Sequence, residues 1–239
     1  MIRLTSKLRP VLLMFALVAI SGPAFGAGGP RFEIAVTDLT AHQTFTPILA
    51  ASAEAGVTIF KLGRSASKPL QDLAESGDTK MLKAALLADP RVLDVETSSS
   101  LAPGASETLT VKSRGSFDHV IVAAMLIPTN AGFFALNGVE GPHGDDGDDR
   151  AIFYSPAYDA GSKPDDELCV NIPGGGSCHG TGFVPQGISP EATNSPVPTT
   201  AVGYVFIHRG IHGIGDLPPQ FYDWRNPVAK IVIKRVDQD

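Results

Sequence analysis

Apolar and polar side chains alternate with a period of two along several short stretches of the chain. The clearest stretch covers residues 31–37, where Phe32, Ile34 and Val36 fall on one face of an extended strand. Glycine, proline, asparagine and aspartate separate most of these stretches, as they do between strands. The pattern predicts further strands near residues 57–62, 107–112, 120–127, 151–154, 201–208 and 228–236.

Two segments between the second and third predicted strands have helical spacing instead. Ser67 can cap a helix over 67–75 and Pro69 fits its first turn, while a second helix is predicted over 79–88, before Pro90. Helices and strands do not otherwise alternate, which favours a sandwich or jelly roll over a parallel sheet. We therefore predict a mainly β fold with a short helical insertion in its N-terminal third.

The first 26 residues have the order of segments that is typical of a secretory signal peptide. Three basic residues precede an apolar run over 11–20, and small residues lead to a predicted cleavage site after Gly26. We expect an exported protein, secreted or periplasmic, in which residues 27–239 form a single domain. The alternative is a retained membrane anchor, but the run is shorter than the roughly 20 residues that a span needs.

The charge of the chain disfavours some classes of partner. Lysine and arginine number 19 against 25 aspartates and glutamates, which gives a formal net charge of −6. Removing the predicted leader, with its three basic and no acidic residues, makes this about −9. Proteins bind the phosphates of nucleic acids and anionic lipids through lysine and arginine. Because the net charge of this chain is negative, we expect no nucleic acid partner and no affinity for anionic lipid. We also expect a monomer that is not an integral membrane protein.

Acidic residues concentrate in the segment 140–167, where nine of them stand against two basic residues. Carboxylates this close repel one another unless they stay solvated or share a cation. Calcium takes about six to eight oxygen ligands, which loops supply readily. The predicted ligands are Asp159, Asp165 and Asp166. The cluster 145–149 lacks the spacing of a helix-loop-helix calcium site and is predicted to be a solvated loop, with a second, weaker ion site as the alternative.

His208 and His212 are four residues apart, the spacing that lets a helix present two imidazoles to zinc. Glycines at 210, 213 and 215 disfavour a helix here. The spacing therefore also fits a second interpretation, in which His208 ends a strand and His212 forms a hydrogen bond within a tight turn. A transition-metal site at these histidines is the alternative to calcium.

Residue types that catalyse reactions are present without a catalytic order. Ser177 follows three glycines but lacks the second flanking glycine of a nucleophile elbow, because His179 stands at that position. Asp118 and His119 would need a serine brought to them by the fold. We therefore predict no catalytic residue. Trp224, the only tryptophan, is predicted to anchor the core or a corner, with an exposed ligand platform as the alternative.

The only two cysteines, Cys169 and Cys178, enclose a glycine-rich segment. In an oxidising compartment this spacing predicts a local disulfide, with a contribution to stability of roughly 2 to 3 kcal/mol. Two free thiols are the alternative. A metal site that combines the cysteines with His179 is less favoured, because it lacks the second pair of ligands that structural zinc sites have.

Three segments taken together resemble the spondin domain. They are 126–134 (Leu-Ile-Pro-Thr-Asn-Ala-Gly-Phe-Phe), 158–162 (Tyr-Asp-Ala-Gly-Ser) and 222–231 (Tyr-Asp-Trp-Arg-Asn-Pro-Val-Ala-Lys-Ile). The likeness runs over roughly 32–236. It is closest to stand-alone secreted members in bacteria, which share the pattern Gly-Ile-His-Gly-Ile-Gly-Asp seen here at 210–216.

The resemblance implies an eight-stranded antiparallel β-sandwich with a calcium ion bound by loops at one end. Asp159 matches a family ligand directly. The position of the family's first carboxylate falls at Ala131 and that of a later aspartate at Lys163, and neither side chain binds calcium. Replacement ligands are then expected nearby, namely Asn130, Asp165 and Asp166.

Members of this family are associated with extracellular adhesion. The resemblance therefore implies a recognition module that binds a surface protein or a glycan and catalyses no reaction. The alternative is a metal-dependent extracytoplasmic enzyme with its metal near His208 and His212, since a metal in a loop cleft can activate water. A joint centre requires that Asp159 and the turn 208–216 lie at the same end of the sandwich.

Overall fold

The structure is a computed structural model that describes residues 29–143, 150–173 and 199–236. Several predicted features lie outside the described residues: the signal peptide, the acidic cluster 145–149, Ser177, Cys178 and His179.

Eleven strands form within the described residues, and eight of them have five residues or more. The longer strands are β1 (Arg31–Asp38), β3 (Leu49–Ala53), β4 (Val92–Thr97), β5 (Ser106–Lys112), β6 (His119–Ile127), β7 (Gly132–Glu140), β8 (Arg150–Ser155) and β11 (Ala229–Val236). The short strands are β2 (Thr44–Phe45), β9 (Ala157–Asp159) and β10 (Phe206–Ile207). The α-helices are α1 (Lys68–Ser76), α2 (Lys80–Leu87) and α3 (Pro219–Tyr222), and Cys169–Asn171 form a 3₁₀ turn.

The strands form two antiparallel sheets. One has four strands in the order β5-β1-β11-β8, and the other has seven, in the order β10-β9-β7-β6-β3-β4 with β2 also paired to β6. The chain passes from one sheet to the other at Pro156, between β8 and β9. The predicted mainly β, antiparallel sandwich is confirmed.

The main core lies between the two sheets and follows the alternation seen in the sequence. Phe32, Ile34 and Val36 of β1 are fully buried, as are Ile231 and Ile233 of β11. Their neighbours along each strand are partly or fully exposed. The four-stranded sheet therefore buries one face and leaves the other to solvent, which is the arrangement that a period of two predicts.

Strand β6 is buried on both of its faces. Val120, Val122 and Ala124 belong to the core between the sheets, whereas Ile121 and Ala123 belong to a second core. This second core also contains the buried leucines of the helical insertion, Leu70, Leu73, Leu82 and Leu86. The insertion thus covers the outer face of the seven-stranded sheet, which explains the unbroken apolar run of β6.

The helical insertion itself is confirmed. Helices α1 and α2 begin and end within one residue of the predicted bounds, and Pro69 lies in the first turn of α1. Ser67 occupies the position before α1, but its side chain forms no capping hydrogen bond, so that part of the prediction is wrong. Among the described residues, no helix has both the length and the apolar character needed to cross a membrane.

Some predicted strands are wrong. Residues 57–62 form turns and irregular backbone, although Val57 and Ile59 are buried in the second core. Within 201–208, only Phe206–Ile207 are extended and paired. Five strands were not predicted: β2, β3, β4, β7 and β9.

Candidate metal centre

The short strand β9 positions the first residue of the candidate site. Asp159, at its end, lies between two strands, opposite Gly132 of β7 and Phe206 of β10. This pairing brings the segment that follows β10, with His208, to the side of Asp159. The two predicted sites, one from the acidic segment and one from the histidines, therefore meet in one place.

The turn after β9 fixes the orientation of the Asp159 carboxylate. The N–H of Gly161 donates to Oδ1 of Asp159 at 2.6 Å. Gly161 has a φ of +66°, and a Cβ atom there would lie 2.1 Å from the carbonyl oxygen of Tyr204. Only glycine adopts this positive φ readily and also leaves room for the carbonyl oxygen of Tyr204. With Oδ1 held by the turn, Oδ2 is the atom that faces His208, at 3.8 Å from Nε2.

Three side chains converge here: Asp159, Asp165 and His208. Each offers one ligand atom, and these atoms all lie within 4.8 Å of one another. Asp159 and His208 are 1% and 3% exposed, and Asp165 is partly buried. A cluster of carboxylate oxygens and an imidazole nitrogen with these separations can hold a divalent cation.

Burial shifts the pKa values of both carboxyl groups upward. The pKa of Asp159 is raised to about 7, chiefly by burial and further by the charge of Asp165, while the N–H of Gly161 opposes the shift. The pKa of Asp165 is raised to about 6, again chiefly by burial. Two carboxylates within 4.8 Å of each other resist ionisation together, and a cation between them would reverse that preference.

The hydrogen bonding of His208 defines which of its nitrogens carries the proton. The N–H of Gly210 donates to Nδ1 at 3.1 Å, so the neutral ring carries its proton on Nε2. Burial lowers the pKa of His208 to about 3, which keeps the ring neutral at ordinary pH. Nε2 has no hydrogen-bond partner among the described residues, and it faces Asp159.

Asp166 and Asn130, also predicted as ligands, lie beside the cluster and bond to each other. Nδ2 of Asn130 donates to Oδ1 of Asp166 at 2.7 Å, and Oδ1 of Asn130 accepts the N–H of Glu167 at 3.1 Å. Oδ2 of Asp166 accepts Nδ2 of Asn171 at 2.5 Å. These polar atoms already have protein partners, so ion binding by this pair would require that those hydrogen bonds be exchanged. Their ligand role stays a prediction.

Glu167 was not predicted, yet its carboxylate organises the glycine-rich turn. The side chain is fully buried and accepts the N–H groups of His212, Gly213 and Ile214 at 2.6, 2.7 and 3.0 Å. Gly215 lies so close that a Cβ atom there would be 2.4 Å from the carbonyl oxygen of Asp166. The closely spaced glycines were the sequence signal for this close backbone approach.

The two histidines of the predicted pair have different environments. The side chain of His212 is half exposed, and its Nδ1 lies 3.7 Å from Oε1 of Glu167. Within the described residues, the group of candidate ligands that contains His208 does not contain His212. The structure thus joins His208 to the acidic residues rather than to His212.

The two positions at which the sequence differs from the spondin pattern that it resembles, 131 and 163, have other contacts. Ala131 is fully buried, and its carbonyl oxygen accepts the N–H of Ala160 at 3.1 Å. The ammonium group of Lys163 lies 3.8 Å from Oε2 of Glu75, in helix α1. Lys163 therefore connects the loop after β9 to the helical insertion.

Trp224 packs against the cluster from the core side. Its side chain is 8% exposed, and its ring centroid lies 4.9 Å from that of His208. The predicted anchoring role agrees with this burial. Arg225 donates to the carboxylate of Asp223 and forms a local ion pair with it.

Other candidates of the sequence lie elsewhere or only partly within the described residues. Oδ1 of Asp118 lies 2.6 Å from Nδ1 of His119, and the partly buried Asp118 also forms a group of possible ligands with the exposed Glu140 and His143. Cys169 is buried, and its N–H donates to Oδ2 of Asp216 at 2.9 Å. Because Cys178 lies outside the described residues, the disulfide stays a prediction.

The fold and this cluster define an antiparallel β-sandwich with a buried carboxylate–imidazole group beside strand β9. No protein-family model matches the chain, and a search of curated proteins finds no match.

Proposed function

We propose that this protein is an exported recognition module of the adhesion type, in which a calcium ion held by Asp159 and Asp165 fastens the loops beside its binding surface. The observation that carries the proposal is the convergence of these two carboxylates in a buried site. The charge of Arg209 lowers the pKa of both carboxyl groups, but burial outweighs it and both pKa values stay raised. A bound cation would supply the further positive charge that two ionised carboxylates need in this site. The proposal includes no reaction.

The state of His208 favours a cation that is bound by oxygen atoms. A nitrogen that carries a proton cannot coordinate a metal, and the Gly210 hydrogen bond puts the proton of the neutral ring on Nε2. In this state the Nε2–H group faces Oδ2 of Asp159 across 3.8 Å and makes no hydrogen bond with the described residues, so it is free to donate when a cation ionises the carboxyl group. Calcium prefers carboxylate, carbonyl and water oxygens, which agrees with this role.

A binding surface adjoins the proposed ion. A cavity of about 200 Å³ lies beside Asp165 and is lined in part by Val202, Phe206 and Arg209. Tyr204 and Ile207, close by along the chain, are about 45% exposed. The N–H of Gly203 donates to the carbonyl oxygen of Gly161 at 2.7 Å. This hydrogen bond connects the segment 202–207, which carries these apolar side chains, to the turn that orients Asp159. Calcium would therefore influence the shape of this surface. The resemblance to spondin domains suggests a surface protein or a glycan as the partner.

The test is a metal titration followed by unfolding and by the fluorescence of Trp224. Because Trp224 is the only tryptophan and contacts His208, its emission reports on the cluster. We expect chelator-treated protein to gain about 2.7 kcal/mol at a calcium concentration 100 times the Kd. For a domain of this size, that raises the melting temperature by roughly 5 to 10 °C.

Three variants locate the ion. Asp159→Asn and Asp165→Asn should each lose the calcium response. Asp118→Asn removes a carboxylate from the other acidic group of the described residues and should retain the response. Absence of any calcium effect on the parent protein, in both stability and fluorescence, would contradict the proposal.

A metal-dependent enzyme is the second candidate, and one observation favours it. Nε2 of His208 lies 3.8 Å from Oδ2 of Asp159, and one ring nitrogen of His208 lies within 4.8 Å of an oxygen of each carboxylate. A ring with the opposite tautomer would complete a group of one imidazole and two carboxylates. Such a group suits zinc or another transition metal that leaves coordination positions open. A response to zinc without any response to calcium, lost in Asp159→Asn, would favour this candidate.

A further inference from the structure

The cavity beside Asp165 combines charged and apolar lining residues. Asp165 and Arg209 are charged, and Val202, Phe206 and Ile214 are apolar. Its volume of about 200 Å³ is below the roughly 300 to 1,000 Å³ of pockets that enclose a whole small molecule. The cavity therefore suits one terminal group of a larger partner rather than a free small molecule.

Aromatic contacts position the guanidinium group of Arg209 in this cavity. Its Cζ lies 6.0 Å from the centroid of the Phe206 ring, and that ring packs edge-on against Tyr204, with centroids 6.2 Å apart. A cation over an aromatic face is attracted by the negative charge of the face. The charge of Arg209 also reaches Asp159 and Asp165, because it lowers the pKa of both. Arg209 thus brings a planar group of N–H donors, which pairs well with a carboxylate, to the side of the proposed ion.

Asp159 and Asp165 cannot complete the coordination of a calcium ion by themselves. Each carboxylate offers two oxygens, and Oδ1 of Asp159 already accepts the N–H of Gly161. Calcium takes about six to eight oxygens, so further ligands have to come from the backbone, from water or from a bound partner. The two carboxylates cancel the charge of the ion. The positive charge of Arg209 then remains for a partner that brings an anionic oxygen ligand.

We propose that the cavity binds the C-terminal carboxylate of a peptide whose last residue is apolar, with one oxygen on the calcium ion and the other paired with Arg209. This inference rests on the calcium site of the proposed function and specifies its partner. The apolar side chain of the peptide would contact Val202, Phe206 and Ile214. A sugar acid fits less well, because its hydroxyl groups would lie against these side chains without hydrogen-bond partners.

The test measures the binding of short N-acetylated peptides to the purified protein by calorimetry. The probes are a leucine-ended peptide as the free acid, the same peptide as its C-terminal amide, and a glycine-ended free acid. In saturating calcium, we expect the leucine-ended acid to bind roughly tenfold more tightly than its amide, which lacks the negative charge. It should also bind roughly tenfold more tightly than the glycine-ended acid, which lacks the apolar side chain. Protein freed of calcium should bind the leucine-ended acid at least about tenfold more weakly.

Two variants separate the charge contact from the packing contact. Arg209→Gln should bind the acid roughly tenfold more weakly and leave binding of the amide unchanged. It should bind calcium at least as tightly as the parent, because it removes a positive charge near the ion, and this response shows that the variant is folded. Val202→Ser should weaken binding of acid and amide by the same factor, about threefold. The matched control, Arg114→Gln, removes a positive charge from an exposed residue outside the cavity and should bind the acid within about twofold of the parent.

The outcomes separate this inference from the proposed calcium site. A calcium response in unfolding and in Trp224 fluorescence, together with equal binding of acid and amide, would overturn this inference and leave the calcium site supported. Equal binding of the acid by Arg209→Gln and Arg114→Gln would also overturn it. So would acid binding that is equally tight without calcium, or tighter binding of galacturonate oligomers than of the leucine-ended acid. Absence of any calcium response in the parent protein would overturn the proposed function and this inference with it.

Discussion

The imidazole Nε2 of His208 lies 3.8 Å from Oδ2 of Asp159, and both side chains are almost completely buried. The other ring nitrogen, Nδ1, accepts a hydrogen bond from the N–H of Gly210. The ring is therefore held between a backbone donor and a carboxylate, with its proton on the side of the carboxylate. With a proton on Nε2 the imidazole cannot be a metal ligand, so this arrangement favours an ion site that is built of oxygen atoms.

Two substitutions of His208 test whether the imidazole is a ligand. Glutamine can replace Nε2–H as a donor to Asp159, whereas asparagine places an oxygen near the position of Nδ1 and loses the donor. We expect calcium binding to ionise Asp159 and to draw the Nε2–H of His208 into a hydrogen bond with it. His208→Gln should then bind calcium within about threefold of the parent, and His208→Asn roughly tenfold more weakly, the cost of one hydrogen bond to a charged group. Calorimetric titration measures both. Loss of calcium binding in His208→Gln would instead identify the imidazole as a ligand.

Asp38 should make stability depend on pH. It is 1% exposed, Oδ1 accepts the N–H and hydroxyl of Thr40, and Oδ2 has no hydrogen-bond partner among the described residues. Burial raises its pKa from 3.8 to about 7, so the folded state holds the proton more tightly than the unfolded state. This contribution to stability is complete below about pH 4 and is lost as the pH rises through 7.

The variant Asp38→Asn removes this titration while it keeps the oxygen that Thr40 bonds to. Relative to the parent, we expect the variant to become more stable as the pH rises from 4 to 8, by on the order of 4 kcal/mol at most. Urea unfolding at several pH values measures the difference. A difference that does not change with pH would show that Asp38 is ionised in the folded protein.

The sequence predicted the strands whose alternation or apolar run is unambiguous, and it missed those set by tertiary packing. Strand β3, Leu49–Ala53, is buried at every position, and its alanines and serine have no β-propensity of their own. Its strand conformation depends on pairing with β6 and β4. Residues 57–62 show the opposite case, because Val57 and Ile59 are buried beneath the helical insertion without any strand partner.

The candidate site was predicted in parts. The density of acidic residues indicated Asp159 and Asp165, and the histidine spacing indicated His208 as a separate site. What joins them is the pairing of Phe206 with Asp159, a contact between distant segments that no local pattern shows. Glu167 was missed because a single buried carboxylate leaves no trace in spacing. The glycines at 210, 213 and 215 were interpreted only as evidence against a helix, although a close backbone approach is the other reason for such glycines.

Glu167 should be a major determinant of stability in the turn 210–216. Its carboxylate accepts three backbone N–H groups, and glutamine would place an NH₂ group against one or more of those donors. We expect Glu167→Gln to lower the free energy of unfolding by about 3 kcal/mol. The exposed Glu96→Gln should change it by less than about 0.5 kcal/mol. Urea unfolding of both variants provides the comparison, and equal stability would exclude a clamping role for Glu167.

The predicted disulfide between Cys169 and Cys178 should stabilise the same region. Cys169 is buried, and its N–H bonds to Asp216, whose own N–H bonds to the carbonyl oxygen of Glu167 at 2.8 Å. Reduction should therefore lower the free energy of unfolding by about 2 to 3 kcal/mol, because the unfolded chain gains freedom when the loop opens. Unfolding with and without reductant measures this, and the double variant Cys169→Ser with Cys178→Ser should not respond to reductant. Thiol titration of the denatured, unreduced protein decides the premise: reactive cysteines would mean that the disulfide does not form.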